Sequence, residues 1–101
     1  MLYKVKQDII PRDIASVYFL VDIHDKTYYD VRRIYSTNQC GYEIFKIMNS
    51  IDTLFSVDEV FSQFISLLNN YQDSMHDTIL ADITTFIQEL VSIGYVIGVE
   101  K

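Results

Sequence analysis

The sequence is poor in cysteine, glycine and proline, and it contains no long apolar run. A single cysteine among 101 residues excludes an internal disulfide framework. The three glycines are isolated, so there is no glycine-rich phosphate-binding loop. No stretch approaches the roughly 18 apolar residues of a membrane span, and the first residues do not resemble a signal peptide. We therefore expect a cytoplasmic protein that forms a single domain over residues 1–101 and has no membrane partner.

Basic residues are almost missing from the second half of the chain. Residues 1–46 hold seven basic and six acidic side chains, whereas residues 47–101 hold one basic and eight acidic side chains. No lysine or arginine occurs between Asn49 and Glu100. The formal net charge of −6 is therefore the sum of a nearly neutral first half and a strongly acidic second half. An acidic surface aids solubility, and it also limits what the second half can bind.

Residues that carry out catalysis or bind metal ions are also scarce. Cys40 is the only thiol, and His24 and His76 are the only imidazoles. Their spacing does not match a zinc site. No local motif supports a Cys–His nucleophile, and a cysteine is often simply a small buried apolar residue. The adjacent carboxylates Asp58 and Glu59 are better explained as the start of a helix than as a catalytic pair. We predict no catalytic residue, no metal site and no cofactor, and we expect a binding module rather than an enzyme.

The first third of the chain predicts strands. Residues 17–21 and 28–35 are rich in β-branched and aromatic side chains, and residues 3–6 alternate between apolar and charged. Residues 9–12 are expected to form a short edge strand that ends near Pro11, because proline cannot donate a hydrogen bond to a sheet. Together these segments indicate a small antiparallel sheet of two or three strands.

Apolar residues fall at helical spacing after residue 36. Positions 44, 45, 48 and 51 indicate a first helix, for which Ser36, Thr37 and Asn38 are the candidate N-caps. A later helix is indicated by a longer apolar face, and Gly94 supplies a left-handed residue at its C-terminal end. That face comprises Ile79, Ile83, Phe86, Ile87, Leu90 and Val91.

The helix between these two has the clearest start in the chain. Ser56 and Glu59 form a capping box, and Phe55 and Val60 stand at the two positions of a hydrophobic staple. The polar residues 69–77 that follow this helix predict a loop. Its predicted buried stripe comprises Val57, Val60, Phe61, Phe64, Ile65, Leu68 and Tyr71.

Strands followed by three helices are the order of a winged helix-turn-helix, a fold often used to bind DNA. DNA affinity comes largely from lysine and arginine side chains that neutralise phosphates. The second and third helices contain neither, and the third would present Asp77, Asp82 and Glu89 to the phosphates. The charge therefore argues against a nucleic-acid partner.

The segment YSTNQCGYEIF carries Asn38, Gly41 and Ile44 at the spacing of a family motif, Leu-Asn-x-x-Gly-x-x-Ile-Trp. In this segment the sequence resembles PqqD-like proteins. That family includes the recognition elements for precursors of ribosomally made, post-translationally modified peptides (RiPPs). Thr37 replaces the usual leucine of the motif, and Phe45 replaces the usual tryptophan.

Two further segments carry the same resemblance. Residues 55–60 resemble the Thr-Val-Glu-Glu-Ile helix start of the family. Residues 80–96 are similar to its Asp-Val-x-x-Phe-Leu-x-x-Leu-x-x-x-Gly-Leu-Leu segment. Upstream, residues 10–12 and 18–21 also fit the family pattern. Each motif is degenerate and mostly apolar, but their order and spacing hold over roughly residues 9–97.

The resemblance implies an α+β winged helix-turn-helix, with a small three-stranded antiparallel sheet followed by three helices. In the family, the leader segment of a precursor peptide adds as an extra strand beside the third strand, in the groove between that strand and the third helix. Here the third strand would be residues 31–36, and the groove helix would run from about Asp77 to Ile93. The expected peptide-binding residues are Val31, Arg32, Arg33, Ile34, Tyr35, Ser36, Ile79, Asp82, Ile83 and Phe86.

Several of these residues have a second interpretation. Arg32 and Arg33 would favour acidic residues in the leader, or they would serve only to keep an edge strand from aggregating. Phe86 fits the core better than the groove, and Asp82 fits a role in orienting the helix. Residues 31, 33 and 35 share one face of the strand, and which face meets the groove stays open.

The function implied is a stand-alone leader-peptide-binding protein, or peptide chaperone. It would present a ribosomal peptide to a modifying enzyme of the radical SAM or cyclase type. The alternatives are a DNA-binding or transcription-associated domain with the same fold, and a non-catalytic protein adaptor. An open strand edge is compatible with a monomer or a homodimer.

Overall fold

A computed structural model describes residues 1–23 and 34–99 of the chain, which form five strands and three α-helices. The predicted strand residues 28–33 lie outside the described ranges. In chain order the elements are β1 (Leu2–Val5), β2 (Ile9–Ile14), β3 (Val17–Asp22), β4 (Ile34–Thr37), α1 (Gln39–Ser50), α2 (Val57–Ser66), a short 3-10 helix (Asp73–Met75), α3 (His76–Ser92) and β5 (Val96–Val99).

Strands β2, β3 and β4 form an antiparallel sheet in that order, which confirms the predicted three-stranded sheet. Ala15 and Ser16 join β2 to β3 and both have positive φ, at 51° and 65°, as a two-residue type I′ hairpin turn requires. The prediction that β2 ends near Pro11 is wrong, because the strand continues to Ile14. Since β2 lies at the edge of the described sheet, the missing amide of Pro11 does not interrupt its pairing with β3.

A second, two-stranded sheet joins the two ends of the described chain. Strand β1 pairs antiparallel with β5, which belongs to the short apolar tail at residues 95–99. On the other side of β1, the amide of Tyr3 donates to the Phe55 carbonyl at 2.8 Å, and the Phe55 amide donates to the Tyr3 carbonyl at 2.9 Å. Strand β1 is therefore tied to β5 on one side and, on the other, to Phe55, which precedes the N-cap of α2.

The helix ends follow the local signals in the sequence. Asn38 is the N-cap of α1, since its Oδ1 accepts from the Gly41 amide at 2.7 Å. The predicted capping box of α2 is present: the Ser56 hydroxyl accepts from the Glu59 amide, and the Glu59 carboxylate accepts from the Ser56 amide. At the end of α3, Gly94 has a φ of 83° and completes a Schellman motif.

One cluster of buried side chains joins the helices to both sheets. It holds about half of the predicted stripes of α2 and α3, and the other predicted stripe residues except Val91 are partly buried against it. Val91 is 37% exposed, so its predicted place on the buried face is wrong. Ile83, Ile87 and Leu90 fill that face, and Val91 lies beyond its border. The predicted loop 69–77 is also only partly right, because it contains the 3-10 helix and the first residues of α3. The buried cluster comprises Tyr3, Ile9, Leu20, Ile44, Phe45, Ile47, Met48, Phe55, Val60, Phe61, Phe64, Ile83, Ile87, Leu90, Tyr95 and Val96.

Candidate functional site

An open cleft of about 420 Å³ lies between strand β4, the first turn of α1 and one face of α3. It has both polar and apolar walls and is wide open to solvent. We call it the β4–α3 cleft. Its lining residues are Tyr35, Ser36, Thr37, Asn38, Cys40, Gly41, Ile44, Asp82, Phe86 and Glu89.

Strand β4 turns alternate side chains towards the helices. Tyr35 and Thr37 are half-buried, whereas Ile34 and Ser36 are exposed. In the described part of the strand, Tyr35 and Thr37 therefore lie on the face turned towards the helices, and the exposed Ser36 also borders the cleft. In the described sheet β4 pairs only with β3, so its other edge leaves backbone amides and carbonyls open beside the cleft.

The first turn of α1 approaches α3 closely at Gly41. A Cβ atom at this position would lie 3.1 Å from Cε1 and 3.3 Å from Cζ of Phe86, and it would collide with the Thr37 hydroxyl. Because Asn38 caps the same turn through the Gly41 amide, the Asn-x-x-Gly pair has two physical roles here. The asparagine starts the helix, and the glycine lets it pack against the Phe86 ring.

Tyr35 connects β4 directly to α3. Its hydroxyl donates to Oε2 of Glu89 at 2.8 Å, and its ring centroid lies 6.5 Å from those of both Phe86 and Tyr95. Burial, then the hydrogen bond to Glu89 and the charge of that carboxylate, raise the pKa of Tyr35 to about 12. The phenol is therefore a neutral donor at physiological pH.

The only charged side chains among the described lining residues are carboxylates. Asp82 and Glu89 are both exposed on α3, and no lysine, arginine or histidine lines the described cleft. Burial and the charge of Asp82 raise the pKa of the Cys40 thiol on the opposite wall. The cleft can therefore offer a strand edge, an aromatic surface and negative charge to a ligand.

The expected peptide-binding residues are placed in three different ways. Tyr35, Ser36, Asp82 and Phe86 line the β4–α3 cleft. Ile83 has no exposed surface, Ile79 is half-buried against the core, and Ile34 points away from the cleft. The remaining three, Val31, Arg32 and Arg33, lie outside the described residues.

The expected set omitted six lining residues. Glu89 had a usable signal, since it lies seven residues after Asp82 and therefore on the same face of a helix. Asn38 and Gly41 belonged to the recognised motif but were given no role in the groove. Nothing local in the sequence indicated that Thr37, Cys40 and Ile44 would reach it.

Other kinds of site find less support in the described part of the chain. Within residues 1–23 and 34–99, no three His, Cys, Asp or Glu side chains are grouped so that they could hold a metal ion. None of the described helices has the length and hydropathy needed to cross a bilayer. A smaller cleft of about 240 Å³ lies beside β1 and the end of α1, away from β4 and α3.

No protein-family model matches the chain, and no curated protein sequence matches it. Among solved structures, the chain is similar to TbiB1 in complex with the TbiA(beta) leader peptide, with a TM-score of 0.65 and 12% sequence identity. The match covers 97% of this chain and 99% of that chain. At this identity the likeness establishes a shared fold, and the expected α+β fold class is confirmed.

Proposed function

We propose that the chain is a single-domain leader-peptide-binding protein, and that it presents a ribosomally made precursor peptide to a modifying enzyme. The observation that carries the proposal is the edge of β4 beside the β4–α3 cleft, which no strand covers among residues 1–23 and 34–99. The chain acts by binding, without a catalytic residue of its own.

The geometry suits a peptide that adds to the sheet. An extended segment beside β4 would form main-chain hydrogen bonds with the open strand edge, which supply affinity for any sequence. Its alternate side chains would point towards α3 and contact Phe86, Asp82 and Glu89, which supply specificity. The half-buried Tyr35 lies between these two surfaces.

Two likenesses support the proposal independently of the cleft. The fold is shared with TbiB1, which was solved with a leader peptide bound. The motifs of residues 35–45, 55–60 and 80–96 resemble the PqqD-like family, in which leader binding is the common role. A modifying enzyme of the radical SAM or cyclase type is the expected recipient of the bound peptide.

DNA binding gains no support from the fold. Helices α2 and α3 contain no lysine or arginine, and α3 exposes Asp77, Asp82 and Glu89. These carboxylates repel phosphates, so placing α3 against DNA as the recognition helix of a winged helix-turn-helix would be electrostatically unfavourable.

Calorimetric titration tests the proposal. The probes are synthetic peptides that cover the N-terminal part of each short reading frame neighbouring the gene. We expect one of them to bind with a micromolar Kd, equivalent to about −8 kcal/mol. In amide NMR spectra of the labelled chain, the shifts should change at Tyr35, Ser36 and Thr37 and along α3. Co-elution of the chain, that peptide and the neighbouring modifying enzyme then tests presentation, and gives the oligomeric state.

A pair of variants on α3 separates cleft binding from other binding. Phe86→Ala should raise the Kd of the peptide about tenfold or more, because it removes an aromatic contact surface from the cleft. Val91→Ala is the matched control, since Val91 is exposed on the same helix and does not line the cleft. Circular dichroism checks that both variants are folded. Absence of binding by every peptide, or equal binding by wild type and Phe86→Ala, would contradict the proposal.

A further inference from the structure

A stripe of three side chains on α3 faces the β4–α3 cleft. Asp82, Phe86 and Glu89 are spaced four and three residues apart, so they share one face of the helix, and all three line the cleft. At a rise of about 1.5 Å per residue, the two carboxylates stand roughly 10 Å apart along the helix axis, with the aromatic ring between them.

The negative charge of this stripe is not neutralised within the described residues. Asp82 has no ion-pair or hydrogen-bond partner there, and Glu89 accepts only from the neutral phenol of Tyr35. Two titratable groups across the cleft respond to the carboxylates: after burial, Asp82 raises the pKa of Cys40 and Glu89 raises that of Tyr35. Both carboxylates therefore act on groups of the wall that faces α3.

The cleft defines the site, and the carboxylates decide which side chain it accepts. An acidic residue of a bound peptide would be repelled by both Asp82 and Glu89. A lysine or arginine has an apolar stem that can cover the Phe86 ring, and its charged end is attracted by the ring face and by the carboxylates. Alternate residues of a strand added beside β4 point towards α3, so a single basic residue can reach the stripe.

We propose, on the premise of the leader-binding function above, that the cleft selects a leader segment with a lysine or arginine facing α3. The alkyl stem of that residue covers Phe86, and its charged end lies between Asp82 and Glu89. This preference is separate from the one suggested by Arg32 and Arg33, which concerns acidic residues and lies outside the described part of the strand.

Selection from a displayed library of random linear peptides tests the inference without knowledge of the natural leader. The whole chain is immobilised as wild type, as the Asp82→Asn/Glu89→Gln double variant, and as Asp77→Asn. The last is the matched control, because the Asp77 side chain is fully exposed on the same helix and does not line the cleft. We expect wild type and control to enrich lysine or arginine at one position, and the double variant to lose that enrichment.

Calorimetry on one selected peptide measures the coupling. Replacing its enriched lysine or arginine by methionine should raise Kd about tenfold for wild type and for Asp77→Asn. The same replacement should change Kd less than twofold for the double variant. Equal losses in all three proteins would place the basic residue elsewhere and overturn the inference.

Failure of the inference and failure of the proposed function give different results. Peptides that shift the amides of β4 and α3 but show no basic preference overturn only the inference. If no selected peptide shifts those amides, the cleft does not bind extended peptides, and both proposals are wrong.

Discussion

Replacing Gly41 by alanine tests the close contact between α1 and α3 on which the shape of the cleft depends. Two effects oppose each other at this position. Alanine stabilises a helix relative to glycine, because it restricts the unfolded chain and shields the backbone. The added methyl group, however, would meet the Phe86 ring at 3.1 and 3.3 Å and press on the Thr37 hydroxyl.

The sizes of these two effects decide whether Gly41→Ala raises or lowers the free energy of unfolding. The helix preference of alanine contributes about 1 kcal/mol in favour of the variant. Adding a methyl group to a well-packed contact costs about 1–3 kcal/mol. Thr37 can turn its hydroxyl away, but the Phe86 ring is flanked by Tyr35 and must move by a few tenths of an ångström. We expect a net loss of about 1 kcal/mol in the free energy of unfolding, or roughly 4–8 °C in Tm.

Urea unfolding of four proteins measures this change: wild type, Gly41→Ala, Thr37→Ala and the double variant. In the Thr37→Ala background the loss caused by Gly41→Ala should be smaller, because only the contact with Phe86 remains. The slope of the free energy against urea should stay constant, so that the midpoints report stability. A gain of about 1 kcal/mol in the wild-type background would refute the reasoning, since helix preference alone would then account for the result.

Two further predictions concern side-chain hydrogen bonds that the structure contains. Ser56→Ala should lower the unfolding free energy by about 1 kcal/mol in the same urea assay, because it removes the hydroxyl that accepts from the Glu59 amide. Ser66→Ala, a control at the other end of α2, should change the unfolding free energy by less than about 0.5 kcal/mol. Equal effects of the two substitutions would contradict the capping role of Ser56. Since the pKa of Tyr35 rises from 10.0 in the unfolded chain to about 12 on folding, its stabilising effect is complete below pH 10 and is lost as the pH rises through 12. An ultraviolet difference titration of wild type against Tyr35→Phe should show one phenol that ionises at this high pH. Glu89→Gln should lower the pKa of Tyr35 without restoring its ordinary value, because the burial remains. A Tyr35 phenol that already ionises near pH 10 in wild type would contradict the prediction.

The features that were predictable from the sequence are those made by neighbours along the chain. The capping box joins Ser56 to Glu59, and its staple joins Phe55 to Val60, so all four positions fall within one helical turn and its flank. Gly94 is similarly local, because a left-handed residue after an apolar helix face needs little else to identify it. Such interactions can be recognised without knowing where the rest of the chain lies.

Pairing across the chain could not be predicted in the same way. The alternation in residues 3–6 and the apolar tail at 95–99 were both visible, but a strand pattern does not name its partner. The structure shows that Tyr3 has two neighbours, β5 on one side and Phe55 on the other. The Phe55 side chain thus serves the staple of α2 while its backbone pairs with β1, and that second role has no local signature.

The cleft was predictable to the extent that it depends on one helix face or one strand. Asp82, Phe86 and Tyr35 were found because they lie on the expected groove helix and strand. Ile83 was also expected in the groove because it lies on the same helix, but it follows Asp82 by one residue, so its side chain points into the core. The contribution of α1 was missed because it rests on the contact between Gly41 and Phe86, which joins residues far apart in sequence.

In the fold, the two halves of the chain, which differ in charge, form opposite walls of the β4–α3 cleft. Strand β4 comes from the nearly neutral half and has a backbone edge that is open among the described residues, to which an extended peptide would add under the proposed function. Helix α3 comes from the acidic half and places the carboxylates of Asp82 and Glu89 at the cleft. The carboxylates that make the helix unfit for phosphates are therefore the groups that can distinguish one peptide from another. On this arrangement, neutralising them should change which peptides bind more than it changes whether an extended peptide binds.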